Sequence, residues 1–248
     1  MRDLKKAVRL LCVLSFAFAA AGRSADDARP PEARYETRTP RDRDGIGKIY
    51  FGREIAQVMG HQGAGWLERP EREEEERTDL LLKELALKPG ERVADIGAGS
   101  GYFSWRMAKL VGENGRIYAT DIQQEMLDIL MAQMGRRGVE KIVRPVLGTV
   151  QDSGLTAGTV DTVILVDVYH ELDFPYEMTR SMIAALRPGG RLVLVEYRGE
   201  DPAVPIKRLH KMTVAQVKKE MGVHPVTFEQ NIATLPRQHI LVFRKRGA

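Results

Sequence analysis

From about residue 77 onward the chain switches repeatedly between two hydrophobic periods. Short runs rich in Val, Ile and Leu are "RVADIG" (92–97), "GRIYAT" (115–120), "IVRPVL" (142–147), "TVDTVILV" (159–166) and "GRLVLVEY" (190–197). Their length and branched composition predict buried strands. Between them, residues 101–111, 123–136 and 175–186 place apolar side chains at helical spacing. Strands alternating with helices predict a parallel sheet covered on both faces, an α/β fold. "LRPGG" (186–190) reads as the end of the third of these helices with its turn residues. Towards the C-terminus, "MTVAQVKKEMG" is helical in period. It is followed by "PVTFEQNI" and "HILVFRKR", which "ATLPRQ" separates, and these predict a closing antiparallel pair.

Upstream, "RTDLLLKELAL" (77–87) is apolar at helical spacing and Pro89-Gly90 ends it. The acid run Glu73 to Glu76 lies at its start, where the helix dipole favours negative charge. Residues 46–78 are richer in apolar and aromatic side chains and are expected to form an N-terminal cap on a domain spanning 79–248. Residues 22–45, "GRSADDARPPEARYETRTPRDRDG", are charged, proline-rich and aperiodic, and read as a disordered linker.

Residues 1–21 have a basic start, an apolar run from Leu10 to Ala21 and small residues Ala19 to Ala21, the pattern of a signal peptide. The run is short for a membrane span, which takes ~20 residues. Export to the periplasm or beyond is the expectation. A buried N-terminal helix in a cytoplasmic enzyme is the alternative. Cys12 is the only cysteine, so a mature chain would form no disulfide. The 248 residues carry a net charge of +4, and the leader, with Arg2, Lys5, Lys6 and Arg9 against Asp3, accounts for three of those charges. The remainder is nearly neutral, so no nucleic-acid footprint is expected.

The chemistry concentrates in "VADIGAGSGYFS" (93–104). A dinucleotide loop needs Gly-x-Gly-x-x-Gly, but after Gly97 and Gly99 the third glycine is Gly101, and position 102 is Tyr. A nucleoside triphosphate loop would need Gly-Lys-Ser/Thr, which is missing. Asp95, just before the glycines, would repel a pyrophosphate and suits a cation. S-adenosylmethionine (SAM) offers an ammonium and no phosphate. Asp121 ends the second strand, where a carboxylate can accept hydrogen bonds from both ribose hydroxyls; capping the next helix is a compatible role.

These residues, with "IYATDIQQEML", "VDTVILVDVYHEL" and "LRPGGRLVLVEY", resemble the class I SAM-dependent methyltransferases over roughly residues 80–245. The resemblance implies a Rossmann-like, mostly parallel seven-stranded sheet in order 3-2-1-4-5-7-6, with helices on both faces and SAM across the carboxyl ends of the strands. It implies adenine packing on Ile122 and contacts from the end of the fourth strand, Asp167 to Tyr169. Many relatives carry Gly-Asp after the third strand. Here Gly148-Thr149 stands instead, and Asp152 is the nearest acid.

On the acceptor side, His170 in "DVYHEL" follows the fourth strand and titrates near neutrality, so it is the candidate for acting on the acceptor, with Glu171 to orient it. Capping or structural packing is the competing role. Tyr50, His61, Trp66 and Arg69 in the cap, with Tyr169, are candidate acceptor contacts; ordinary packing is the alternative. Asn-Pro-Pro-Phe/Tyr and catalytic cysteines are missing, and no His/Asp/Glu cluster is evident, so no metal is expected. A small molecule, a quinone-like lipid or a protein side chain remains as acceptor. A non-catalytic module that binds SAM or S-adenosylhomocysteine and regulates a partner is the leading alternative to an enzyme. A nucleotide-dependent oxidoreductase is the next, and the glycine spacing speaks against it.

Overall fold

The computed structural model describes residues 34–247. The expected signal peptide and the first part of the expected linker lie outside them. The described chain opens with β1 (Glu36–Thr37), β2 (Gly45–Tyr50) and β3 (Arg53–Ala56), an antiparallel sheet in order β1-β2-β3. Two short helices follow, α1 (Ala64–Leu67) and α2 (Arg72–Glu76), and then α3 (Thr78–Leu85).

The main body alternates as the periodicity predicts: β4 (Arg92–Ile96), α4 (Ser104–Val111), β5 (Arg116–Asp121), α5 (Gln124–Arg137), β6 (Val143–Leu147), β7 (Val160–Val166), α6 (Pro175–Ala185) and β8 (Leu186–Arg198). A two-residue strand, β9 (Lys211–Met212), pairs with the end of β8. Helix α7 (Val214–Met221) and the antiparallel pair β10 (Val226–Ile232) and β11 (Gln238–Lys245) complete it. The seven main strands run β6-β5-β4-β7-β8-β11-β10, the expected 3-2-1-4-5-7-6 order. Only β11 runs antiparallel to the rest; β10, antiparallel to β11, points the same way as β8.

Two apolar clusters cover the two faces of the sheet. Val93, Ile117, Ile164 and Val193 pack with α3, α4 and α5. Ala94, Val163, Leu192 and Leu194 pack with α6 and α7. The strand period of two sends neighbouring residues to opposite faces, and both faces are apolar because both are covered.

Three local expectations are corrected. "LRPGG" is no helix end: α6 stops at Ala185 and β8 begins at Leu186, whose partner is Val160 on β7. The acid run forms its own helix, α2, instead of leading α3 directly. Glu73 still serves the start of α3, its Oε1 accepting the Asp79 amide at 2.9 Å. Finally, the expected linker's last residues are structured. The Glu54 carboxylate accepts the amides of Asp42 (3.0 Å) and Gly47 (3.1 Å), while Asp42 and Asp44 pair with Arg208 and Lys207, each at 2.6 Å. Charges that look solvated in sequence are here partners of one another.

The N-terminal sheet is fastened to the domain through Arg53. Its guanidinium holds Glu220 of α7 at 2.7 and 3.1 Å and donates to the carbonyl of His170 at 3.1 Å. The loop after β7 is thereby fixed from the N-terminal sheet.

Candidate functional site

Beyond the carboxyl ends of β4, β5 and β7 lies a cavity of about 680 Å³, at the place where the strand order reverses and ligands bind in open α/β sheets. It is lined by Gly97, Gly99, Asp121, Asp167 and Val168, by Met59, Trp66 and Leu67 of the N-terminal segment, and by Pro205 to Lys207 of the loop after β8.

At the cofactor end, Asp121 is oriented by two backbone amides, with Gly99 N on Oδ2 at 3.1 Å and Gln123 N on Oδ1 at 3.0 Å. Burial raises its pKa against the lowering effect of these bonds. Ile122, Met126, Val150 and Asp152 line the cavity beyond it. Ile122 is 38% exposed, unusual for an isoleucine next to a buried strand, and presents an apolar face to the cavity. Asp152 also holds its own loop, accepting from Gly154 N at 2.8 Å and Ser181 Oγ at 2.9 Å.

At the opposite end stand Arg72, buried on α2, and Asp167, which has a left-handed backbone (φ 56°) at the end of β7. Asp167 Oδ2 accepts from Gln238 Nε2 at 2.7 Å, whereas Oδ1 is buried without a protein partner. Burial and the nearby acids Glu76 and Glu196 push its pKa well up. A cation that shares this end of the cavity would relieve both.

The three glycines have different tasks. A Cβ on Gly97 would stand 2.6 Å from Val168, and one on Gly99 would stand 2.6 Å from Leu67 of α1. Gly101 faces away from the cavity, against Leu130 and Met134 of α5. Asp95 lies behind the loop in a separate recess of about 30 Å³, its Oδ2 accepting from Ser104 Oγ at 2.6 Å. That recess has room for a single water. Burial pushes the Asp95 carboxyl up to about 6.

The charge pattern fits SAM. The methionine part is a zwitterion, and this cavity offers Asp167 for the ammonium and, for the carboxylate, Arg72, whose guanidinium is also paired with Glu76 at 2.9 Å and donates to the Leu67 carbonyl at 3.0 Å. Asp121 sits where ribose hydroxyls need acceptors, and the apolar surface at Ile122 and Met126 suits adenine. A pyrophosphate would meet Asp121 and Asp167 instead.

At the acceptor side, His170 is buried in a short turn after β7, with Nδ1 2.6 Å from Glu196 Oε2 on β8. Burial alone would lower its pKa, but the charge and hydrogen bond of Glu196 outweigh this and raise it. The other ring nitrogen, Nε2, is 3.2 Å from His210 Nδ1 and 3.9 Å from Glu171 Oε1. Glu171 is thus not the group that orients His170. Glu196 is.

Several expected acceptor contacts lie elsewhere. Tyr50 is turned into a small core with Ile55 and Tyr176, because the turn at Phe51-Gly52 folds β3 back over β2. Tyr169 is wholly buried among the side chains behind the sheet, its ring 5.6 Å from the Arg53 guanidinium. Arg69 stacks on Trp66 at 3.8 Å and pairs with Glu75 and Glu76. His61 meets Gln123 through its backbone amide at 2.9 Å. Among these five, only Trp66 lines the cavity.

The residues that sequence reasoning missed are Arg72, Glu196 and His210. Glu196 had a signal: an acid inside the apolar strand "LVLVEY" must find a buried partner. Arg72 lay within an acid-rich surface-like run, and nothing in its sequence neighbourhood marks His210.

Residues 93–190 match a family model described as "Methyltransferase domain". A ubiquinone/menaquinone biosynthesis C-methyltransferase UbiE from Vibrio cholerae is 25% identical over 135 residues, 54% of this chain and 52% of the relative. The same enzyme from Azotobacter vinelandii is 30% identical over 111 residues, 45% and 44% of the two chains. The chain therefore spans about half the length of the curated relatives it matches. Among solved structures, a SAM-dependent methyltransferase from Aquifex aeolicus superposes with a TM-score of 0.71 at 22% identity, covering 76% of this chain and all of that one. The [4+2]-cyclase SpnF superposes at 0.59 and 16% identity, covering 69% and 81%. The fold alone does not fix the reaction. Residues 93–190 thus match a methyltransferase domain, the strand order is that of the Rossmann-like methyltransferase fold, and the charge pattern of the cavity suits SAM.

Proposed function

We propose that this protein transfers the SAM methyl group to a small, largely apolar acceptor carrying an ionisable oxygen, of the quinol or phenol kind. One observation carries the reading. The His170–Glu171–His210 cluster lies inside the roofed cavity, and the surface leading to it is mostly apolar, with Val168, Leu172 and Ile206. A protein side chain would need an open approach. The relatives' name, C-methyltransferase of ubiquinone/menaquinone biosynthesis, points to the same chemical class.

Bound SAM supplies an electrophilic methyl on a sulfonium whose departure leaves a neutral thioether. This chain's residues hold the reactants in line and exclude bulk water. Asp121, Asp167 and Arg72 fix the cofactor's two ends. Trp66 and Leu67 close the cavity, and the histidine cluster faces the acceptor's polar atom. The test is transfer of labelled methyl from SAM to a panel of hydroquinones, phenols and peptides. Incorporation into the ring compounds supports the reading, and incorporation into peptides alone overturns it.

The leader supports a second proposal, export of the mature chain. Fractionation of a tagged full-length protein tests it: cytosolic protein with residues 1–21 intact would sink it. Among the described residues no helix is long and apolar enough to cross a membrane.

A further inference from the structure

His170, Glu171 and His210 converge from two separate loops, the turn after β7 and the turn before β9. Their nearest ligand atoms are spaced 3.2 Å (His170 Nε2 to His210 Nδ1), 3.3 Å (His210 Nδ1 to Glu171 Oε1) and 3.9 Å (His170 Nε2 to Glu171 Oε1). A tetrahedral ion with bonds of about 2.0–2.1 Å sets adjacent ligand atoms about 3.3 Å apart. Two edges of this triangle already have that length. The third needs only a small rotation of the Glu171 carboxylate.

The surroundings are those of a ligand set. Glu196 accepts from His170 Nδ1 at 2.6 Å, which directs the lone pair of Nε2 into the cluster, as carboxylates behind metal-bound histidines do. Glu171 Oε2 is held by the Met59 amide at 3.3 Å, leaving Oε1 to face the two imidazoles. The triangle opens on the cavity, so a fourth position is available to a small molecule. Two imidazoles and one carboxylate suit borderline divalent cations such as zinc, cobalt or iron better than magnesium or calcium.

We propose that His170, Glu171 and His210 bind a divalent transition-metal ion, zinc in the first instance, whose open position takes the oxygen of the methyl acceptor. The binding site stands on the cluster's geometry, whereas its use in catalysis rests on the methyl transfer proposed above. In that use the ion favours loss of the acceptor's hydroxyl proton to solvent. The resulting anion attacks through oxygen or the adjacent ring carbon. The S–CH₃ bond breaks with its electron pair left on sulfur, giving S-adenosylhomocysteine. A ring carbon that has been methylated then loses its proton while the acceptor oxygen regains one, so one proton is released overall on either path.

The test uses the full chain, stripped with a chelator and titrated with cobalt(II), with SAM binding measured calorimetrically on the same samples. One equivalent should bind and give the intense visible bands of four- or five-coordinate cobalt. H170A and H210N should each weaken binding at least 100-fold, and E171Q about tenfold. His210 is partly exposed, so H210N keeps the test valid should H170A fail to fold. Weak six-coordinate spectra, or cobalt affinity unchanged in H210N, would overturn the metal site. SAM binding without metal binding removes this inference and leaves the cofactor reading intact. Metal binding without SAM binding keeps the site and removes the methyltransferase reading.

Discussion

Glu196 holds both His170 and the residue before it: one carboxylate oxygen is 2.6 Å from Nδ1 of the His170 ring, and the other accepts the Tyr169 amide at 2.9 Å. Ring orientation and backbone path are therefore set by one buried acid on β8. E196Q keeps the size of the side chain but removes its charge and one of its two acceptors. Supporting carboxylates of this kind are worth about 10–100-fold in metal affinity or activity. We expect cobalt affinity to fall by that factor in E196Q while SAM affinity stays within about twofold. Cobalt affinity equal to the wild type would show that Glu196 does not position His170.

The carboxylate of Asp121 and the amide of Gly99 join the second strand to the glycine loop. In D121N one acceptor becomes an amide donor, and it must face either the Gly99 or the Gln123 N–H. Hydrogen bonds to charged groups contribute about 1.5–3 kcal/mol, and 1.4 kcal/mol is tenfold in affinity. SAM and S-adenosylhomocysteine should both bind about 10–100-fold more weakly to D121N by calorimetry, and NAD should bind neither protein.

Gly97, Gly99 and Asp121 could be read from sequence as neighbours at one cavity because they lie within one continuous strand–loop–helix–strand stretch, whereas Arg72 and Asp167 join them from outside it. Gly97, Gly99 and Asp121 needed only local geometry to be placed. The acceptor half was not readable in this way, because it is assembled from loops far apart in the chain. His170 and His210 are forty positions apart and meet only because β8 returns beside β7. Tyr50 and Tyr169 misled for the opposite reason. Tyr50 lies in a glycine-containing stretch and Tyr169 follows the fourth strand, yet both rings are buried where the chain turns back on itself.

Asp95 carries a pH signature. Its folded-state pKa is raised to about 6 by burial, above the ordinary 3.8. Ser104 and Arg72 oppose that rise and Asp121 adds to it. Between these values the folded protein binds the proton more readily than the unfolded chain. This group's contribution to stability is thus full below about pH 4 and is lost as pH rises through 6. Apo wild type should lose on the order of 2–3 kcal/mol relative to D95N between pH 4 and 8 in denaturant titrations. The SAM ammonium favours the ionised form, so SAM binding should tighten from pH 5 to 7 in wild type and vary less in D95N. Parallel stability curves for the two proteins would remove Asp95 as the titrating group.

Gly101 separates backbone need from cofactor contact, because it lines no part of the cavity. Its φ is +84°, and a Cβ there would stand 2.6 Å from Met134 Cε and 2.8 Å from Leu130 Cγ. The methionine tip can swing aside, but the branched Leu130 carbon is held in the core of α5. Gly112 is a useful control, with φ +66° and nothing within 4 Å of a built Cβ. Backbone strain costs about 1–3 kcal/mol at either position, and overpacking adds about 1–3 kcal/mol at Gly101 alone. For a chain of this size each kcal/mol lowers Tm by roughly 2–4 °C. G101A should therefore melt several degrees below G112A. Its SAM affinity, measured well below Tm, should fall less than that of D121N, because Gly101 supports α5 without touching the ligand. Equal melting temperatures for G101A and G112A would mean that α5 can move away from the loop, and that close packing there is not what requires the glycine.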